Sequence, residues 1–108
     1  MKRITQEESK LINRVLARAL TNPTPEEKMW LAVIQQAVTD VGKFRSVRSC
    51  KPSEMTRQAI DNGVGDVAFN WIYGITSGFK RACTMAGITP EYVHKLFSDV
   101  EKHNKAVA

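Results

Sequence analysis

The chain has 108 residues, 43% of them hydrophobic, which is material for one modest core and too little for two domains. Sixteen Lys and Arg against eleven Asp and Glu leave a net charge of +5, a balance that favours anionic partners without identifying one. No apolar run approaches the roughly 18 residues that span a bilayer, and the opening residues lack an apolar secretory segment, so the expectation is a cytoplasmic protein without membrane contact.

Thr5 with Glu8 makes a capping-box signature. Leu11, Ile12, Val15, Leu16 and Ala19 then recur at helical spacing up to about Leu20. Asn22-Pro23 breaks this first helix, because the residue before proline is pushed out of the helical region. Thr24-Pro25-Glu26-Glu27 starts the second with a capping hydroxyl, proline at the first helical position and acids facing the positive dipole end. Trp30, Ile34, Ala37 and Val41 form one stripe, widened by Leu31, Val33 and Val38, and Gly42 supplies a stop. This helix is expected at the centre of the core.

Residues 43–52 have no sustained period and read as a basic loop. The window 43–57 holds Lys43, Arg45, Arg48, Lys51 and Arg57 against one acid, Glu54, so most of the net charge sits there. Ser53 is expected to cap a short helix from Glu54 to about Asp61, which Asn62-Gly63 and Gly65 interrupt. Asp66 then caps a further helix through Phe69, Trp71, Ile72 and Tyr73, ending at Gly74. A strand over Val67–Ile75 has no candidate strand to pair with. Ser77 is expected to cap a helix from Gly78 to Ala86, Gly87 to end it and Thr89-Pro90 to open the last, which carries Val93, Leu96, Phe97 and Val100. The tail 102–108 is expected to fray. Together these elements predict an all-α fold, a single domain over 1–108 with five or six short helices around Trp30, Ile34, Val38, Trp71, Phe79, Val93 and Leu96.

Residues 79–97 resemble a helix-turn-helix unit: Cys83 is the small residue where two helices approach, Gly87 is the turn, and Ala82, Ala86, Ile88, Val93 and Leu96 are apolar anchors. If this unit contacts nucleic acid, Lys80, Arg81, His94, Lys95 and Lys102 supply phosphate contacts, and Thr89 and Tyr92 add hydrogen bonds. Glu91 argues against that, since it repels phosphate and is explained as a partner of the helix dipole. The cations of the 43–57 window give a second, salt-dependent route to nucleic acid. Phe44, set between Lys43 and Arg45, can stack on a base or anchor the loop.

Catalysis and cofactors are not expected. Cys50 and Cys83 are far apart, without CxxC or Cys/His ligand spacing, and read as free thiols. His94 and His103 have no third ligand or nucleophile pattern near them and read as surface side chains; Gly63-Val64-Gly65 lacks the flanking elements of a phosphate loop.

The pattern Trp30, Val33, Ile34, Ala37, Asp40, then Trp71-Ile72, then Phe79, Cys83, Ala86-Gly87-Ile88, Pro90 and Val93 resembles that of a group of small helical phage and prophage proteins. The basic stretch between the two halves departs from that pattern, where a shorter link is expected. The resemblance implies a mobile-element origin, a helical core built on both tryptophans and the Cys-x-x-Ala-Gly turn, a place in the host-cell cytoplasm, and no particular activity. Two functions follow as expectations: a nucleic-acid-binding regulator, or a protein-binding inhibitor that docks on an acidic surface of a host enzyme or defence complex. A DNA-binding regulator of this size needs a twofold partner, and the stripe on the first helix either offers the homodimer surface or, as is favoured for a small domain that needs every apolar face, closes the monomer core.

Overall fold

The computed structural model describes residues 4–43, 51–74 and 76–107, with side chains described through Val100. Within them the chain forms five α-helices and no strand: α1 (Gln6–Ala17), α2 (Pro25–Gly42), α3 (Met55–Tyr73), α4 (Ser77–Ala86) and α5 (Pro90–Val107), with a 3-10 turn at Pro52–Glu54 leading into α3. The expected all-α class holds. Arg45, Arg48, Phe44 and Cys50 lie outside the described residues, as does the side chain of His103.

Helix starts follow from local chemistry. Thr5 and Glu8 close a full capping box, Glu8 N–H donating to Thr5 Oγ1 at 3.2 Å and Thr5 N–H to Glu8 Oε1 at 2.7 Å. Thr24 and Glu27 repeat the arrangement at α2, with 3.1 and 2.9 Å. Asn22, with φ of 50°, takes the left-handed conformation that turns the chain between α1 and α2. The cap of α4 is Thr76 rather than Ser77: its hydroxyl accepts from Phe79 N–H at 3.2 Å, and Ser77 is the first helical residue.

α2 is the central helix, with α1, α3 and α4 all packed against it and α5 against α1 and α4. The core joins Ile12 and Leu16 of α1 with Ile34, Val38 and Val41 of α2, Ala68 and Ile72 of α3, Phe79, Ala82 and Cys83 of α4, and Val93 and Phe97 of α5. Where α1 meets α2 the backbones come close enough that a Cβ on Gly42 would stand 2.6 Å from Ser9 Oγ and 3.2 Å from Gln6 Cα. Gly42, the last helical residue, ends α2 where a stop is expected and is in addition a contact point between the two helices. Beside it Asn13 Nδ2 donates to Thr39 Oγ1 (2.9 Å) and the Gln35 carbonyl (3.2 Å), and Gln35 Nε2 donates back to the Asn13 carbonyl (3.0 Å).

Several expectations need correction. The two short helices placed around Asn62–Gly65 are one helix, α3, of 19 residues. Two glycines cost it about 1 kcal/mol each in propensity, but Gly65 is buried and the following turns anchor Ala68 and Ile72 in the core. Tertiary packing overrides the local break. Ser53 lies inside the 3-10 turn and caps nothing, and Asp66 sits within α3. α1 ends at Ala17, short of Leu20. Trp30 and Trp71 are half-buried, packed on the core and not at its centre, which belongs to Phe79, Ile34, Val38 and Ile72. The Trp30 indole N–H finds no partner among the described residues.

Candidate functional site

The α4–α5 unit has the geometry its residues predict. Gly87, with φ of 81°, ends α4; its N–H donates to the Thr84 carbonyl (3.2 Å) and Ile88 N–H to the Cys83 carbonyl (3.0 Å). This is a Schellman turn, which satisfies the last carbonyls of the helix and needs a residue without a Cβ penalty. Thr89 Oγ1 then accepts from Tyr92 N–H at 3.1 Å, starting α5. A Cβ on Gly87 would meet Glu27 Oε2 at 2.9 Å, so the turn is seated on the start of α2.

Its candidate nucleic-acid contacts divide. Lys80, Arg81, Thr89 and Lys95 are exposed, but so is Glu91, and Tyr92 is partly packed on the core. His94 is not the surface side chain expected. Its Nε2 lies 2.9 Å from the Ile72 carbonyl, and its ring stacks on Phe79 with centroids 5.9 Å apart at 11°. A carbonyl only accepts, so Nε2 carries the proton and ties α5 to α3. Cys83 is buried, and desolvation, with Glu91 adding negative charge nearby, pushes its thiol up to about 11. That thiol is protonated at neutral pH and is no nucleophile. Among the described residues no group of three or more His, Cys, Asp and Glu is placed to hold a metal ion.

The surface that sequence reasoning missed lies between α2 and α3. Val33, Gln36, Ala37 and Asp40 of α2 face Ile60, Gly63, Val64, Val67, Ala68 and Trp71 of α3 across an open groove of about 690 Å³. Its branched side chains are solvent-facing in a small protein that has few to spare: Val33 is 43% exposed, Ile60 63%, Val64 42% and Val67 71%. Trp71 closes one end, its indole held edge-on to Phe79 at 5.3 Å. At the other end Asp40 is engaged by Gln36 Nε2 (3.0 Å) and Lys43 Nζ (3.3 Å). Gln58 Nε2 donates to the Lys43 carbonyl (3.1 Å), so the two described ends of the basic window meet there, with Lys43, Lys51 and Arg57 all exposed.

The stripe on the first helix closes the chain's own core at Ile12 and Leu16. Ala19 is exposed, and the exposed Leu11 and Val15 line, with Ile12, Leu96, Asp99 and Val100, a smaller groove of about 390 Å³. No helix among the described residues is long and apolar enough to cross a membrane. Comparison with known proteins returns no match to any family model, curated protein or solved structure.

Proposed function

We propose that this chain is a non-enzymatic regulatory protein that acts by docking another protein on its α2–α3 groove. The observation that carries the reading is the group of branched apolar side chains, Val33, Ile60, Val64 and Val67, left in solvent around one groove. Contiguous exposed apolar surface of this kind marks interaction sites, and fully burying one Val or Ile side chain is worth roughly 1.5–3 kcal/mol. The likeness to small phage and prophage proteins agrees with a partner that is a host enzyme or defence complex.

Nucleic-acid binding through α4–α5 is the second reading, favoured by the Gly87 turn and the exposed Lys80, Arg81 and Lys95. It is weaker because the start of α5 offers Glu91 where a reading helix usually offers Arg, Lys, Asn or Gln. The two readings separate on paired variants. Recovery of a stoichiometric protein from nuclease-treated host lysate, lost with Ile60→Glu/Val67→Glu and kept with Lys80→Glu/Arg81→Glu, supports docking at the groove. Salt-sensitive binding of duplex DNA, lost with Lys80→Glu/Arg81→Glu and kept with the groove variant, replaces it with the nucleic-acid reading.

A further inference from the structure

The two halves of α3 are held unequally. From Gly65 onward the helix is anchored: Ala68 and Ile72 are buried in the core, and Phe69, Trp71 and Tyr73 pack on it. The Tyr73 ring meets Phe97 edge-on at 5.3 Å, and the Ile72 carbonyl accepts from His94 Nε2 at 2.9 Å. From Lys51 up to Gly65, by contrast, no residue is buried, and none joins the hydrophobic core or the side chains packed on it. Met55, Ile60 and Val64 all face solvent.

Local chemistry does not make up the difference. α1 and α2 begin on capping boxes, whereas α3 begins at Glu54 with no side-chain cap and carries the cation Arg57 in its first turn, at the positive end of the helix dipole. This half runs into Asn62-Gly63-Val64-Gly65, four residues of low helix propensity. Residues 55–64 fall short of the roughly 12–15 below which a helix is marginal in water without tertiary contacts. A hydrogen bond to α2, from Gln58 Nε2 to the Lys43 carbonyl at 3.1 Å, is itself exposed, so water replaces it when it breaks.

We infer that residues 55–64 form a strap that opens as a unit, unwinding at Gly63 and Gly65, while the second half of α3 and the helices packed on it stay folded. Opening carries Ile60, Gly63 and Val64 away from Val33, Ala37 and Asp40 and dismantles one wall of the α2–α3 groove. The groove is a continuous surface only while the strap is closed. The device belongs to the chain alone and holds whatever docks there.

Hydrogen exchange of the full chain, at several urea concentrations below the unfolding transition, tests it. The expected result is that amides 59–64 exchange as one set, about a hundredfold faster than those of 68–72 and with little dependence on urea, because opening the strap exposes little buried surface. Ile72→Val, a mild loss in the core, speeds the 68–72 set by about two- to tenfold and leaves the 59–64 set unchanged. Gly63→Ala, whose methyl has open space, slows the 59–64 set by about fivefold. One common rate for the two sets, or a shared response to Ile72→Val, overturns the strap and makes α3 a single cooperative unit. A 59–64 set that exchanges fast but is unmoved by Gly63→Ala overturns the glycines as the point of unwinding.

Discussion

The two flanks of α2 carry similar residues in opposite circumstances. On one, Ile34, Val38 and Val41 are sealed against α1 and α4, with Gly42 admitting Ser9 at a distance no larger residue tolerates. On the other, Val33 looks across a groove at Ile60, Val64 and Val67, and the only glycine in that groove meets nothing. Side-chain type does not separate the two, since both are rich in branched aliphatics. What separates them is whether the chain supplies a third helix to cover the pair. α4 covers the first flank, and nothing among the described residues covers the second.

The largest expected effect sharpens that contrast. Phe79→Ala removes the largest fully buried side chain and is expected to cost about 3–5 kcal/mol, enough to unfold a domain of this size. Val67→Ala, at a similarly apolar position in the groove, is expected to stay within about 0.5 kcal/mol of the parent. Urea denaturation of the two variants measures both; a Val67→Ala loss comparable to that of Phe79→Ala would mean that the groove is covered in solution.

Cys83 lies in the sealed flank, and its burial has a pH consequence. The thiol is raised from 9.0 to about 11 in the folded chain, so the folded state holds the proton more tightly than the unfolded state does. Its contribution is complete below pH 9, declines as the pH rises from 9 to 11, and amounts to about 2–3 kcal/mol once lost. Cys83→Ala removes this step. The difference in denaturation midpoint between parent and variant, measured at pH 8 and at pH 10.5, is therefore expected to shrink or reverse at the higher pH; a constant difference would place the thiol in contact with water.

Gly42→Ala tests the α1–α2 contact directly. The added methyl meets Ser9 Oγ at 2.6 Å and backbone at 3.2 Å, and overpacking of this kind costs about 1–3 kcal/mol. Combining it with Ser9→Gly removes the closest clash, so the pair is expected to be less destabilised than the sum of the single variants. Additive losses in thermal denaturation would show that the two residues do not touch.

How much of this was legible in the sequence depended on range. Thr5 with Glu8, Thr24 with Glu27, and Gly87 before Ile88 are local devices, each closed within five residues, and the chain carries them out as written. Long-range facts were not legible. His94 reaches the Ile72 carbonyl from 22 residues away, and Gly42 serves a contact with a different helix. The groove was hidden for a specific reason: reading Asn62–Gly65 as a break divided α3 in two and separated Ile60 from Val64, Val67 and Trp71, so a stripe continuous on one helix could not be seen. The basic window was visible by composition, but that its ends meet beside the groove depends on the Gln58 hydrogen bond to Lys43.

Gly63 supports the smallest and most discriminating prediction. It sits in the interior of α3, where glycine is less favourable than alanine by about 1 kcal/mol, and a Cβ there has open space. On stability alone Gly63→Ala is an improvement, since it stiffens the unfolded chain and costs no clash, and the denaturation midpoint is expected to rise accordingly. In the groove the same methyl stands where a partner backbone would approach, so the variant should gain stability and lose affinity together, the trade expected when a residue is kept for binding at the expense of the fold. Parallel thermal denaturation and recovery of the groove's protein partner from nuclease-treated lysate read the two quantities on one variant. A variant that is more stable and binds undiminished would show that the glycine has no part in recognition and that the occupant rides on the branched rims of the groove without reaching its floor.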